Sequence, residues 1–273
     1  MEFKPSTPDR LRPFPEHDRS PTLFRMNTPV IHTYFLPSLL PDEPLGETAV
    51  VIDVLRATTT AAAALHHGAA GIVPVETIEE ARALAKTLSP PPLLGGERGG
   101  LPIEGFDLGN SPAAYDERVR GRWIVFTTTN GTRAIHACRT ARQVVLAAFA
   151  NLSAITDWLA ARRQVALVCS GTDGQITLED VLCAGALLDL WSDGDPSSWQ
   201  LDDASRLAHD AWQAHARHWT GQTWLVDQLR LSRGGRNLTG LGQTADIELA
   251  AQIDQYPVIP RWHWPENRIV LDV

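Results

Sequence analysis

Short runs of β-branched residues alternate with alanine- and leucine-rich stretches along much of this sequence. The clearest example is Ala49–Asp53, an apolar run that ends in a carboxylate and precedes the helical stretch Thr58–His67. Residues 123–127, 144–147 and 165–169 repeat the pattern, each before another helical stretch. Strands and helices that alternate in this way are typical of layered α/β folds. We therefore expect an α/β protein.

The size of the chain allows one large domain. A chain of 273 residues with 44% hydrophobic content can bury a single core, or two smaller lobes that share a cleft. Residues 1–29 contain repeated prolines and scattered charges, and they lack the apolar segment of a secretory signal. We expect residues 1–29 to be a disordered extension and residues 30–273 to form one α/β domain, either compact or in two lobes.

The composition indicates where the protein functions and which kinds of partner it can bind. No apolar run approaches the roughly eighteen residues of a membrane span, so we expect no contact with a membrane. The three cysteines lack CxxC spacing, which favours a reduced, cytoplasmic protein without disulfides or structural zinc. A net charge of −8 argues against nucleic acid as a partner, because binding it requires a clustered basic surface. The nine tryptophans favour packing or a subunit interface, so a homodimer is one expected assembly.

The first candidate site follows the run that ends at Asp53. A carboxylate at this position can bind a hard cation, and Arg56, with Thr58, Thr59 and Thr60 at the next helix start, can bind phosphate. In the alternative interpretation, Asp53 satisfies a turn and Thr58 caps the helix. We favour the site, because a carboxylate, an arginine and three hydroxyls exceed what capping requires.

Two later loops offer further groups to an anion. Glu97 and Arg98 lie among glycines in Gly95–Gly100, which suits an oxyanion-binding loop, although a flexible turn explains the segment equally well. Residues 127–133 supply hydroxyls, an amide and a glycine between a strand and a helix, where a satisfied turn is the alternative. The candidates for phosphate binding in this second loop are Thr129, Asn130, Gly131, Thr132 and Arg133.

A third loop and the helix after it add acidic side chains. Glu179 and Asp180 lie in the expected first turn of this helix, and pairing of Thr177 with Asp180 in a capping box would explain Asp180 but not Glu179. Ligands of open α/β sheets bind at the carboxyl ends of the strands, so we expect these loops to meet around one site. The further candidates from this loop are Ser170, Gly171 and Asp173.

Several phosphate-binding and metal-binding classes are excluded by inspection. A nucleotide P-loop motif is absent. Gln175 stands six residues after Cys169, where a cysteine phosphatase requires arginine, and Leu55 stands where haloacid-dehalogenase-like phosphatases carry a second acid. His215 and His218 are three residues apart on an expected helix, but without a carboxylate partner we assign them to a partly exposed helix face.

A family resemblance rests on five separate blocks, in order: Val51–Thr60, Gly96–Arg98, Gly105–Pro112, Thr128–Thr132, and Glu179–Asp180 with Cys183–Gly185. With these blocks the chain resembles the 2-phosphosulfolactate phosphatase family over roughly residues 50–254. The resemblance implies a three-layer α/β/α fold with a mixed, largely parallel sheet, and a magnesium requirement. It implies hydrolysis of (R)-2-phospho-3-sulfolactate in coenzyme M biosynthesis, with other phosphorylated 2-hydroxy acids as further substrates.

We therefore expect a phosphatase that acts on a small anionic phosphate ester. In this hypothesis Mg²⁺ is bound by Asp53 and by Glu179 or Asp180, and Arg56 with N–H groups of the 129–132 and 170–171 loops stabilises the transferred phosphoryl group. Attack by water and a phosphoenzyme intermediate both stay open. The alternative is a non-catalytic sensor of a phosphorylated metabolite, although bare carboxylates help an anion sensor only if they hold a metal. Further candidates are Glu97 and Asp173 as metal ligands, and Arg98 and Arg133 for the other anionic groups of the substrate.

Overall fold

The structure, a computed structural model, describes residues 28–216, 222–264 and 266–272. The expected extension lies almost entirely outside these residues, as does His218. The strands are β1 Val30–Tyr34, β2 Thr48–Ile52, β3 Gly71–Pro74, β4 Leu93–Arg98, β5 Leu101–Pro102, β6 Trp123–Thr127, β7 Gln143–Ala147, β8 Gln164–Cys169, β9 Gln200–Leu201, β10 Pro260–His263 and β11 Arg268–Leu271. The α-helices are α1 Ala57–His66, α2 Ile78–Ala85, α3 Gly131–Ala137, α4 Leu152–Leu159, α5 Leu178–Trp191, α6 Asp203–Ala216, α7 Gln222–Leu231, α8 Arg233–Gly240 and α9 Thr244–Ala250. None of the helices described is long and apolar enough to cross a bilayer.

The strands form one continuous sheet in the order β5-β4-β6-β3-β11-β10-β7-β2-β8-β1-β9. One half consists of β4, β6 and β3 in parallel, and the other of β7, β2, β8, β1 and β9 in parallel. The antiparallel pair β10 and β11 joins the halves, with β10 against β7 and β11 against β3. The expected mixed, largely parallel sheet is confirmed.

Helices cover both faces of this sheet. In β2, Val50 and Ile52 pack into a core with α4, α5 and α7, whereas Ala49 and Val51 pack on the opposite face with α1 and α3. All four side chains are fully buried, which explains why this strand is apolar throughout instead of alternating. Burial of each such aliphatic side chain stabilises the fold by about 1.5–3 kcal/mol. The three-layer α/β/α fold is therefore confirmed.

Two elements in the last third differ from the sequence-based expectation. Residues 233–240 form α8, although two consecutive glycines favour a loop. The helix begins at Ser232, whose hydroxyl accepts the Gly235 N–H at 2.9 Å. A Cβ at Gly235 would lie 1.9 Å from the Leu229 carbonyl oxygen, so the glycine is required by close packing. Strand β10 was also not expected, because its Pro-Arg-Trp-His sequence does not resemble a strand.

Candidate active site

A cleft of about 470 Å³ opens at the carboxyl ends of β2, β4 and β6. This position agrees with the general rule for ligand sites in open α/β sheets. Among the residues proposed from the sequence, those that line the cleft are Asp53, Arg56, Glu97, Thr129, Asn130 and Asp173.

Asp53 is held at the end of β2 by the start of α1. Its Oδ1 accepts the Ala57 N–H at 3.1 Å, and its Oδ2 faces Gly131, where a Cβ would lie only 2.5 Å away. The hydroxyl of Thr58 donates to the Asp53 carbonyl at 2.7 Å and accepts the Asp53 N–H at 3.0 Å. Thr59 likewise donates to the Val54 carbonyl at 2.8 Å. These two threonines therefore fix the turn and are not placed in the cleft.

Glu179 and Asp180 lie beneath the cleft, in the first turn of α5. Asp180 accepts the N–H of Val54 at 2.9 Å and the N–H of Gly171 at 3.0 Å, so it ties α5 to the loops after β2 and β8. Glu179 is fully buried behind Gly234, and its Oε2 has no hydrogen-bond donor among the described residues. The structure brings both acids close to Asp53, but neither lines the cleft wall.

These three carboxyl groups are strongly perturbed. Burial, and then the charge of Asp180, raise the pKa of Asp53 to about 8 and the pKa of Glu179 to about 8. Burial also raises the pKa of Asp180, to about 6, although the N–H donors of Val54 and Gly171 oppose the effect. None of the three forms an ion pair with an arginine or lysine of the described ranges. A buried acidic cluster without a cation costs free energy unless protons or a metal ion neutralise it.

Arg56 is part of the cleft wall but is already paired. Its Nη1 donates to Asp246 Oδ2 at 2.6 Å and also to Gln243, and its Nη2 donates to the Gly100 carbonyl at 2.9 Å. Asp246 accepts a further hydrogen bond from Ser111 at 2.6 Å. The arginine thus joins the loop after β4 to the start of α9. Three of its five N–H donors are used, and the other two are left for a ligand.

Glu97 organises two of the loops around the cleft. Its Oε1 accepts the Thr129 N–H at 2.7 Å, and its Oε2 accepts the Gly100 N–H at 2.7 Å and the Thr129 hydroxyl at 3.1 Å. Asn130 Oδ1 accepts the Asp173 N–H at 3.4 Å, and Asp173 accepts a hydrogen bond from Arg233 at 3.4 Å. The loops after β4, β6 and β8 are therefore linked to one another by side chains.

The backbone N–H groups expected to bind phosphate are largely occupied by the protein itself. The Thr129 N–H donates to Glu97, and the Thr132 N–H donates to the Thr128 hydroxyl at 3.1 Å. The Ser170 N–H donates to the Ile52 carbonyl at 2.8 Å, and the Gly171 N–H donates to Asp180. An oxyanion site made of these donors would have to break existing hydrogen bonds. The N–H groups of Thr129, Thr132, Ser170 and Gly171 therefore serve as loop anchors, and phosphate binding by the loop N–H groups stays a prediction for Asn130 and Gly131.

Two arginines that the sequence suggested for substrate binding, Arg98 and Arg133, do not line the cleft. Arg98 donates to the carbonyls of Glu97 at 2.7 Å and Glu76 at 2.9 Å, and to the Thr127 hydroxyl at 2.8 Å, so it braces the end of β4. Arg133 is exposed on α3 and does not line the cleft. The error has a simple cause: position after a strand fixes the location of the backbone, but not the direction in which a long side chain extends.

Comparison with known proteins assigns the chain to a family. The model of the 2-phosphosulpholactate phosphatase family matches residues 34–264. The chain belongs to this family. A probable 2-phosphosulfolactate phosphatase of Deinococcus radiodurans is 45% identical over 227 residues, which cover 81% of this chain and 90% of the relative. The proteins of the same name from Caldicellulosiruptor saccharolyticus and Symbiobacterium thermophilum are both 41% identical, and the alignments cover 76% and 84% of this chain and 85% and 96% of those relatives. The expected enzyme class, a phosphoric monoester hydrolase, is confirmed at the level of the family.

In this member of the 2-phosphosulpholactate phosphatase family, the cleft also contains residues that the sequence analysis did not select. Asn110 is buried, and its side-chain oxygen has no donor among the described residues. Helix α8 contributes a second wall that includes Arg236, Asn237 and Leu238. The sequence contains two glycines between two arginines at 233–236, but it does not show that this segment forms α8 and lines the cleft.

Whether this family member can hold the expected magnesium ion depends on its free oxygen atoms. No group of three or more His, Cys, Asp or Glu side chains in the described ranges is arranged around a metal position. Magnesium, however, is commonly bound through one or two carboxylates, with water and substrate phosphate completing its shell. Asp53 in the cleft and Glu179, whose Oε2 has no donor among the described residues, meet that smaller requirement, whereas the oxygens of Asp180 already accept N–H donors. The donor set fits, and magnesium stays a prediction.

Proposed function

We propose that this chain hydrolyses the phosphate ester of a small 2-hydroxy acid, with 2-phospho-3-sulfolactate as its substrate, in a magnesium-dependent reaction. Membership of the family and the names of its relatives support the chemistry. The expected compartment and pathway, the cytoplasm and coenzyme M biosynthesis, belong to the same proposal, and a homodimer stays a prediction.

One observation carries the magnesium requirement. Three acidic side chains, Asp53, Glu97 and Asp173, line the cleft together with two arginines; Arg56 is paired with Asp246, and Asp173 with Arg233. Glu179 and Asp180 add carboxyl groups beneath them. Once Asp53 and Glu179 have lost their protons, this group of carboxylates repels an anionic phosphate ester. A divalent cation bound by Asp53 and Glu179 would neutralise the acids and polarise the phosphoryl oxygens.

The residues of the chain then have distinct roles in this proposal. Asp53 and Glu179 bind the cation. The two free N–H donors of Arg56 and the side chains of Thr128 and Asn130 bind phosphoryl oxygens. Glu97 holds the flanking loops in place by its bonds to Thr129 and Gly100. The rigid network limits reorganisation during the reaction, which is the condition for effective electrostatic stabilisation.

The test is phosphate release from 2-phospho-3-sulfolactate, 2-phospholactate and p-nitrophenyl phosphate, measured after EDTA treatment and again with Mg²⁺. We expect no turnover without the metal and full recovery with it. Asp53→Asn should reduce kcat by at least about 100-fold while the fold is retained, because the amide keeps the shape but loses the charge that a hard cation requires.

The matched control is Asp210→Asn, which makes the same change at an exposed acid of α6. This variant should behave like the wild type. Unchanged turnover in metal-free protein would contradict the magnesium requirement. Equal activity of Asp53→Asn and Asp210→Asn would remove Asp53 from the site.

A further inference from the structure

The charged side chains that line the cleft differ in whether their charge is compensated. Arg56 and Asp246 are 2.6 Å apart and nearly inaccessible to solvent, so this arginine is neutralised within the protein. Arg236 also lines the cleft, and no carboxylate of the described residues lies within ion-pair distance of it. Within that part of the chain, Arg236 is therefore the cleft cation with an uncompensated charge.

The position of Arg236 is fixed by the way α8 packs. Gly234 touches Glu179, and a Cβ at this glycine would lie 2.3 Å from Glu179 Oε1. Helix α8 therefore packs against Glu179, one of the two acids proposed to bind the metal. Arg236 donates from Nη1 to the Leu231 carbonyl, which anchors the guanidinium near the start of the helix. A guanidinium carries five N–H donors, and no further acceptor for those of Arg236 is found among the described residues.

A phosphorylated 2-hydroxy acid carries at least one oxyanion besides its phosphate. A metal ion at Asp53 and Glu179 would meet the phosphate, but it leaves this second anion without a partner. An arginine fork binds a carboxylate or a sulfonate through two parallel hydrogen bonds, with a geometry that lysine cannot reproduce. Of the two arginines that line the cleft, Arg236 offers such a fork without first breaking an ion pair to a described residue.

We propose that Arg236 binds the second oxyanion of the substrate and thereby restricts efficient turnover to phosphate esters that carry one. This inference rests on the proposed function. It replaces Arg98 and Arg133, which the sequence suggested for the same role, by a residue of α8. The specificity determinant is thus placed on a helix that also touches the acid at the proposed metal position.

The test compares three phosphate esters of similar size that differ in the second group. Ethyl phosphate has no second anion, 2-phosphoglycolate has a carboxylate, and the phosphate ester of isethionate has a sulfonate. Arg236→Gln should lower kcat/KM for the two doubly anionic esters by about 10- to 100-fold more than for ethyl phosphate, because a hydrogen bond to a charged group is lost. Arg236→Lys should recover only part of this loss. Comparison of the two anionic esters shows whether carboxylate or sulfonate is preferred.

The matched control is Arg230→Gln. Arg230 lies on the preceding helix, is bound to Glu248 at 2.9 Å and does not line the cleft, so the same loss of charge should leave the ratio of substrates unchanged. An equal loss on all three esters in Arg236→Gln would overturn the proposal, as would an equal change in both arginine variants.

A binding measurement separates this proposal from the proposed function. The affinity of 3-sulfolactate, which has both oxyanions but no phosphate, can be measured by calorimetry in wild type and in Arg236→Gln. If the wild type releases no phosphate from any ester, the proposed function fails, and the loss of sulfolactate affinity in Arg236→Gln alone still supports Arg236 as the oxyanion ligand. Equal affinity in wild type and variant would overturn it.

Discussion

The buried pair of Arg56 and Asp246 should contribute strongly to stability, and a double-mutant cycle can measure this contribution. The two side chains are 2.6 Å apart and only 4% and 7% exposed. Removal of either partner leaves an unpaired charge in the protein interior, which costs about 3–5 kcal/mol. A change of about 1 kcal/mol shifts the melting temperature of a chain of this size by about 2–4 °C. Arg56→Gln or Asp246→Asn should therefore lower it by about 6 to 20 °C.

The double variant should lose much less than the sum of the two single changes, because neither charge is then left alone. Urea unfolding of the wild type, both single variants and the double variant gives the coupling free energy. The control is the cycle for Arg118 and Asp116, which are 2.8 Å apart but 66% and 50% exposed, where we expect no measurable coupling. If the buried pair shows no more coupling than this exposed pair, the reasoning from burial is refuted.

Three further predictions concern the cleft. In metal-free protein the melting temperature should fall as pH rises from about 4 to 8. Burial raises the pKa of Asp53 and Glu179 to about 8, so the folded state binds more protons than the unfolded state in this range. Mg²⁺ should oppose this loss in a thermal scan, and an equal dependence of melting temperature on pH with and without Mg²⁺ would count against a metal site formed by these two acids. Gly131→Ala should lower both kcat and the melting temperature, since the new Cβ would lie 2.5 Å from Asp53 Oδ2 and 2.3 Å from Ala57 Cβ. Gly109→Ala, whose nearest neighbour is 3.4 Å away, should change neither, and equal values for the two variants would contradict the steric argument. Arg98→Ala should lower the melting temperature, because Arg98 braces the end of β4, and it should leave the ratios of kcat/KM among ethyl phosphate and the two doubly anionic esters unchanged. A loss confined to the doubly anionic esters would show that Arg98 contacts the substrate after all.

Four strands of the sheet could be predicted because they are buried on both faces. The apolar run before Asp53, and the runs that became β6, β7 and β8, were identified to within a residue or two. Local pattern failed where tertiary packing decides the structure. In α8, the two glycines are required because the helix packs against Glu179 and the Leu229 carbonyl more closely than a residue with a Cβ could. The order of the strands was also not predictable, since it depends on long-range pairing.

The site was predicted at the level of loops, but only in part at the level of side chains. Asp53 and Glu97 are in the cleft because short acids at strand ends have little freedom to point elsewhere. Thr58 and Thr132 satisfy nearby backbone groups, which is the ordinary function of hydroxyls at helix starts. Arg236 was missed because the sequence does not show that α8 forms a wall of the cleft.

The antiparallel pair β10 and β11 has a consequence for synthesis of the protein. These two strands are made after β3 and β7, yet they fill the middle of the sheet between them. While the nascent chain still lacks them, the two parallel halves have no strand to connect them, and β3 and β7 each present unpaired backbone groups along one side. A ribosome that stalls before residue 260 therefore releases two half-sheets with open edges, which are the features that recruit chaperones or lead to aggregation. Assembly of the sheet can finish only after β10 and β11 have both been synthesised.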